Sequence, residues 1–446
     1  MRFRGMNTFR SWGGGLRCLA GTCGMLGTLA ATRQTPVISA RREPAPKEAS
    51  ARIVWSRDTT VAITSAWLVG AAMSSQDSLC GASADGSPFP GRPDRAPASS
   101  TPARRQEPTP PFPYRAEDVA FASEGEVRLA GTITTPLGAG PFPSVVLVAG
   151  SGPQDRDAKL AGHRPFLVLA DYLARRGIAS LRYDKRGVAL STGDFTASAS
   201  ADFAADAEAA VRFLQGRPGM ARGRVGIIGH SEGGLIAPVV AARSRDVAFI
   251  VLLAGPGIPG DSGMQLQRRA TIALASGTTR VMLQRGLEAN RLMFAAMRAA
   301  RDSADMATRL IAAQVETVGR LPADERGEAN RQLDVKRALL LSPWWRSFIL
   351  YDPRPTLRKL EVPVLALNGT LDLQVTCSPN LSEIAAALRS GGNRDYRVVA
   401  MPGLNHLFQT TTTGDPAEYE KNAESFAPAA LDLIATWIRA RAGSTP

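Results

Sequence analysis

Histidine is the scarcest acid–base residue here: the 446 residues contain only His163, His230 and His406. Any mechanism that needs an imidazole base must draw on one of these three. Cysteine is nearly as rare. Of Cys18, Cys23, Cys80 and Cys377, only Cys377 lies beyond residue 115. The longer C-terminal part therefore has no internal disulfide. No Cys-x-x-Cys pair occurs, which argues against structural zinc or another bound metal. Aromatic residues make up 6% of the chain, and no basic run is interleaved with them. The formal charge of +13 is thus not the footprint of a nucleic-acid binder. Long apolar runs are also missing. The run Thr59–Met73 is short for a membrane span, so no stable span is expected in the mature protein. No internal repeat is present.

The charge is unevenly placed. Residues 1–115 carry 15 Lys and Arg against 7 Asp and Glu, so +8 of the +13 lies there. This region reads as a leader. Residues 86–113 are rich in Pro, Ser and Arg and lack an apolar period, the pattern of an extended, solvated linker. The run Thr59–Met73 has the length of a signal-peptide core. Arg52 and Arg57 precede it, and Ala82-Ser83-Ala84 has the small-x-small form of a cleavage site. It lies far from Met1, as it would if translation started further along. A second apolar stretch, Leu16–Ala31, is weaker. The expectation is a periplasmic or secreted protein, with a cytoplasmic one as the alternative.

From residue 116 to 442 the pattern is that of a folded α/β domain. Val119–Ser123 and Val127–Thr134 read as a hairpin about Glu124-Gly125-Glu126. Ser144–Ala149 is a continuous apolar run, as in a strand buried on both faces. Helix Phe166–Arg176, strand Ile178–Tyr183, helix Ala201–Gln215, strand Arg224–Ile228, helix Gly234–Arg243 and strand Ala248–Leu253 follow. Such alternation predicts a mostly parallel sheet with helices on both faces. It stops after Gly255. Residues 258–345 hold long helical stretches, including Thr279–Arg301 and Ala304–Gly319, and read as a helical cap inserted into the domain. The alternation resumes with strand Val362–Asn368, helix Asn380–Arg389, strand Tyr396–Ala400 and a last helix at Phe426–Arg441.

Gly229-His230-Ser231-Glu232-Gly233 joins a strand to a helix. A serine hydroxyl is a weak nucleophile and must be presented and handed to a base. A tight strand-to-helix turn presents it, and flanking glycines give the backbone room. Ser231 is therefore the candidate nucleophile, with Gly229, His230 and Gly233 forming its elbow. His230 adjoins Ser231 and is expected to point away from it. His406 lies in a loop after a short strand near the C-terminus, where a base belongs in the chain order serine, acid, histidine. Asp372 follows the strand Val362–Asn368 and is the candidate acid that orients the imidazole. Glu361 and Asp352 precede that strand and fit less well. Two backbone amides are needed for an oxyanion hole. Glu232 offers one; Ser151, or failing it Gly152, offers the other from Gly150–Asp157. Asp155, Arg156 and Asp157 are expected to fix that loop by ion pairs. His163 is a candidate for the pocket edge or for holding the oxyanion loop, with a purely structural role equally open, and Trp344 and Trp345 are candidates for the pocket. Leu283, Leu292, Met293, Phe294 and Met297 could line an acyl pocket, though packing inside the cap is the plainer expectation for most of them.

Together these segments resemble the α/β-hydrolase superfamily, and more narrowly its esterase and acyl-hydrolase branch with serine aminopeptidase-like and bile-acid acyltransferase-like members. The resemblance rests on Gly150–Asp157, Arg182–Gly187, Gly229–Gly234, Leu367-Asn368-Gly369 with Asp372–Val375, and Gly403–His406. It spans about residues 116–442. It implies an α/β-hydrolase fold and a serine hydrolase acting on a small acyl ester without a cofactor. The alternatives are a serine peptidase of aminopeptidase type, a thioesterase, or, more remotely, a non-catalytic binding protein. Ala189 stands where relatives often have glycine, which implies a slightly displaced loop. Cys377 follows the acid loop and is outside the triad. Nothing in the sequence reports the oligomeric state.

Overall fold

The computed structural model describes residues 106–442. The chain divides into two units, Met1–Val54 and Trp55–Pro446, and the described residues all belong to the second. The signal-like run, Ala82-Ser83-Ala84, the Leu16–Ala31 stretch, and Cys18, Cys23 and Cys80 lie outside the described residues.

A hairpin opens the sheet. β1 (Tyr114–Ala122) and β2 (Arg128–Pro136) pair antiparallel, with Ala122 opposite Arg128. At the turn the Ser123 amide donates to the Val127 carbonyl at 2.8 Å. In the three-residue turn Glu124–Glu126, Gly125 and Glu126 take φ of +66° and +63°, a left-handed backbone that glycine tolerates best. The folded part starts earlier than expected. The Gln106 side chain accepts from the Ser425 amide at 2.6 Å and donates to the Phe426 carbonyl at 2.7 Å. Glu107 pairs with Arg164 at 2.7 Å. The solvated-linker reading is therefore corrected for residues 106–113. Proline removes backbone donors, but the Gln106 amide supplies a donor and an acceptor of its own.

Six more strands complete the sheet: β3 (Phe142–Val148), β4 (Ala179–Tyr183), β5 (Met220–His230), β6 (Ile250–Leu253), β7 (Val364–Gly369) and β8 (Tyr396–Met401). Their spatial order is β1-β2-β4-β3-β5-β6-β7-β8. β2 meets β4 antiparallel, and every pairing from β4 to β8 is parallel. β4, β6 and β7 are buried along their whole length. That is why β6 and the first four residues of β7 read as apolar without alternation, while β4 buries Ser180 and Arg182 among its apolar residues.

Helices cover both faces. α1 (Pro165–Ala174) and α11 (Pro428–Ala442) share one core with Leu147, Ile228 and Leu367. α2 (Ser200–Gln215), α3 (Gly233–Ala241) and α10 (Cys377–Ser390) share the other with Val146, Ile227 and Leu252. Neighbouring residues of one strand thus feed opposite cores. Truncating a fully buried core leucine such as Leu173 would cost about 2–5 kcal/mol.

Between β6 and β7 lie α4 (Gly260–Leu274), α5 (Gly277–Ala299), α6 (Ser303–Gly319), α7 (Arg326–Leu340), α8 (Pro343–Leu350) and the short α9 (Arg354–Leu357). The first five form the expected cap, which runs a few residues further than 345. Asp302 caps α6 by accepting from the Asp305 amide, and Ser342 caps α8 by accepting from the Trp345 amide. The cap has its own core of Phe294, Met297, Met306, Leu310, Trp345 and Ile349. Leu283, Phe294 and Met297 are buried, as cap packing predicts. The Gly260 amide donates to the Tyr351 carbonyl at 3.0 Å, so the insertion leaves and rejoins the domain at one place. A mostly parallel sheet, helices on both faces and a helical insertion after β6 make this an α/β-hydrolase fold.

Candidate active site

β5 ends at His230, and the chain turns at Ser231 into α3. Ser231 takes φ of +54°, a left-handed conformation that costs a non-glycine residue about 1–2 kcal/mol. Its amide donates to the Leu253 carbonyl at 2.9 Å, which ties the turn to β6. The glycines are there for close approach. A Cβ on Gly229 would run into the Gly233 carbonyl, and one on Gly233 into the Val148 carbonyl at the end of β3. Ser231 is half-buried, and its hydroxyl has no hydrogen-bond partner among the described residues.

The His406 and Asp372 side chains meet. His406 Nδ1 lies 2.8 Å from Asp372 Oδ2, and both side chains are almost wholly out of water. The other carboxylate oxygen of Asp372 accepts from the Gln374 amide at 2.8 Å and the Val375 amide at 2.9 Å. Three partners thus converge on the Asp372 carboxylate, two backbone amides on one oxygen and the His406 ring on the other. His406 Nε2 has no partner among the described residues. Its loop is built by Asn405, which is fully buried. Asn405 Oδ1 accepts from the Leu407 and Gln409 amides, each at 3.0 Å, and Nδ2 donates to Gln409 Oε1 at 2.9 Å. His230 holds the loop from the other side. Its Nε2 donates to the His406 carbonyl at 2.9 Å, and the two rings lie 4.8 Å apart. Burial, and secondly the neighbouring His406, push His230 down to about 3, so it is a neutral donor.

The Gly150–Asp157 loop lies beside Ser231. A Cβ on Gly150 would sit 3.1 Å from Ser231 Cβ. Neither the Ser151 nor the Glu232 amide has an acceptor among the described residues. Arg156 forks onto Asp184, with Nη2 at 2.7 Å, and reaches Asp118 at 3.2 Å. Asp157 pairs with Arg182, and Asp155 Oδ1 accepts from the Asp157 and Lys159 amides. Arg156 and Asp157 fix this loop by ion pairs as expected, whereas Asp155 does so by accepting backbone amides. The Arg182–Gly187 segment is the other half of the scaffold. Asp184 holds Arg156, Lys185 holds Glu232 at 3.1 Å, and Arg186 holds Asp206 at 2.7 Å. Glu232 also accepts from Ser200 Oγ at 2.9 Å and Trp344 Nε1 at 2.7 Å. Its backbone borders Ser231 while its buried side chain joins α2, β4 and the cap.

A family model described as X-Pro dipeptidyl-peptidase (S15 family) matches residues 124–403, more than half of the chain, with Ser231 and Asp372 inside the match. The chain belongs to the X-Pro dipeptidyl-peptidase (S15) family. The motifs above point to the superfamily and do not single out this member. A curated relative, esterase EstD of Thermotoga maritima, is 28% identical over 318 residues, which is 70% of this chain. The match spans 65% of that relative's length. Among solved structures, an esterase of Pyrococcus furiosus is 16% identical, covers 65% of this chain and 83% of its own, and has a TM-score of 0.42. The proline iminopeptidase of Mycobacterium smegmatis is 14% identical, covers 74% and 100%, and has a TM-score of 0.46.

Within this S15-family chain, one of the three pocket candidates, His163, takes the structural role. His163 is fully buried; Nδ1 meets Ser425 Oγ at 2.8 Å and Nε2 the Tyr419 carbonyl at 2.7 Å. Both ring nitrogens are used within the fold, so His163 ties the start of α1 to the loop after His406 and does not edge a pocket. Trp344 stacks on Phe348 and gives its indole N–H to Glu232. Trp345 does line a cavity, within the cap. Asn405, Lys185 and the side chain of Glu232 carry no role in the sequence reading. Their signal is short: a polar residue beside the candidate base, and two opposite charges 47 positions apart. Ala189 takes φ of +49°, which explains the glycine of relatives. Cys377 is the one free thiol among the described residues, and burial and then the charge of Asp372 push it up. Among the described residues no cluster of three or more His, Cys, Asp or Glu is arranged to hold a metal ion.

Proposed function

We propose that this chain is a carboxylic-ester hydrolase working through an acyl-enzyme on Ser231. Ser231 Oγ attacks the acyl carbon, and His406 Nε2 takes its proton. The amides of Glu232 and Ser151, with Gly152 as the alternative to Ser151, stabilise the tetrahedral oxyanion. His406 returns the proton to the leaving alcohol, and a water activated by the same nitrogen releases the acid. Asp372 fixes the tautomer and stabilises the imidazolium. The observation that carries this reading is the Asp372–His406 pair, fully bonded on one side with Nε2 untaken, beside a strained turn whose serine hydroxyl is also untaken.

The S15 family name raises a second reading, cleavage of peptides with a free amino end. Such substrates need an unpaired carboxylate to hold the ammonium. Two carboxylates of this site, Glu232 and Asp372, are both engaged. The Thermotoga maritima relative is named an esterase, which also supports the ester. A fluorophosphonate probe tests the nucleophile: wild-type protein is labelled and Ser231→Ala is not. Turnover of p-nitrophenyl esters of graded chain length, set against X-Pro anilides, tests the substrate class. Faster anilide cleavage would overturn the ester reading. Export to the periplasm or medium is the location we propose, on the strength of the run Thr59–Met73; N-terminal sequencing of protein from each fraction checks it. Among the described residues no helix is long and apolar enough to cross a membrane.

A further inference from the structure

The cap holds a partly open cavity of about 640 Å³ that contains neither Ser231 nor His406 in its lining. That volume is in the range of small-molecule sites. Its wall is mostly apolar, with Met264 from α4, Met293 and Phe294 from α5, Leu333 from α7 and Trp345 from α8. Two cations face into it, Arg268 from α4 and Lys336 from α7. Both are half-buried, and among the described residues neither has an ion-pair or hydrogen-bond partner. Burial lowers both, and Arg268 further lowers Lys336. The other charges on the wall are accounted for. Glu325 is paired with Arg285, and Glu328 with Arg331. Two like charges therefore sit together in an apolar chamber with nothing opposite them.

Gly286 adds an independent observation. It lies inside α5, where glycine costs about 0.5–1 kcal/mol relative to alanine. A Cβ there would lie 2.8 Å from Arg268 Nη1 and 3.0 Å from its Cζ. The helix gives up stability at the one place where the guanidinium lies against it.

We infer that the cap cavity is a binding site for an aliphatic carboxylate, with the chain against the methionines, Phe294 and Leu333, and the carboxylate between Arg268 and Lys336. An arginine and a lysine offer a carboxylate both a planar fork and a point charge. This inference concerns binding in the cap and stands whether or not Ser231 hydrolyses esters.

Dodecanoate is the probe, titrated calorimetrically into the intact protein and into Ser231→Ala. Saturable binding below about 1 mM is expected in both. Arg268→Met and Lys336→Met should each weaken it at least tenfold, and Gly286→Val should weaken it by displacing the guanidinium. Dodecylamine should bind far more weakly than dodecanoate. A brominated dodecanoate should quench tryptophan fluorescence less in Trp345→Phe than in wild type, a readout that holds even if a charge variant fails to fold. Absence of saturable binding, equal affinity for the amine, or quenching unchanged by Trp345→Phe would each overturn the inference.

Discussion

Lys185 Nζ lies 3.1 Å from Glu232 Oε2, and neither side chain exposes more than 4% of its surface. The ammonium also sits 4.4 Å from the Phe203 ring. This buried pair joins the end of β4 to the residue that follows the nucleophile. Breaking a buried pair from one side leaves an uncompensated charge and costs about 3–5 kcal/mol. Lys185→Met should therefore lower stability by that amount in urea unfolding and reduce ester turnover. Adding Glu232→Gln should recover part of the stability. A single variant as stable as wild type would mean the pair does not organise the turn.

Asp372→Asn tests the tautomer argument. The amide oxygen of asparagine can still accept from Gln374 and Val375. Its NH2 group cannot accept from His406 Nδ1–H. The imidazole is then held in the wrong tautomer, and kcat should fall by a factor on the order of 10⁴ with the fold retained. Steady-state kinetics with circular dichroism on the same sample check both halves.

His230 makes stability depend on acid. Its folded value, pushed to about 3, lies below the ordinary 6.5. The unfolded chain thus takes up a proton on this ring before the folded one does. Its contribution is fully present above 6.5 and is lost as pH falls from there towards about 3. His230→Gln keeps an N–H for the His406 carbonyl and removes the titration. Urea midpoints measured at pH 7 and pH 4 should converge in the variant relative to wild type. An unchanged difference would rule out His230 as a source of the acid sensitivity.

Ala189 sits at φ of +49°. Glycine relieves that strain but adds entropy to the unfolded chain, so the two effects partly cancel. Ala189→Gly should be neutral to about 1 kcal/mol stabilising. A destabilisation in the same urea assay would show that the methyl group packs usefully.

Local pattern reached far in this chain. The alternation of strand and helix patterns, the glycines around Ser231 and the shortage of histidine were enough to bring out the sheet, the elbow and the pairing of His406 with Asp372. What stayed hidden depends on contacts between distant positions. Nothing in the order of residues says that Gln106 reaches Phe426, or that His163 closes on Ser425 and Tyr419. A buried polar side chain looks like an exposed one until its partners are known. Trp344 and Trp345 are adjacent in sequence, yet the step of about 100° between helical neighbours sends one to Glu232 and the other into the cap.

The Gly260–Tyr351 bond has an evolutionary reading. Because the cap's two ends meet, about ninety residues hang from the sheet as a single closed loop, and loop-closure entropy rises only slowly with length. Such an appendage can be lengthened, shortened or exchanged while β6 and β7 stay side by side. The reacting groups on the sheet and the chamber within the cap can then diverge at different rates, with recruitment of new ligands falling to the cap alone.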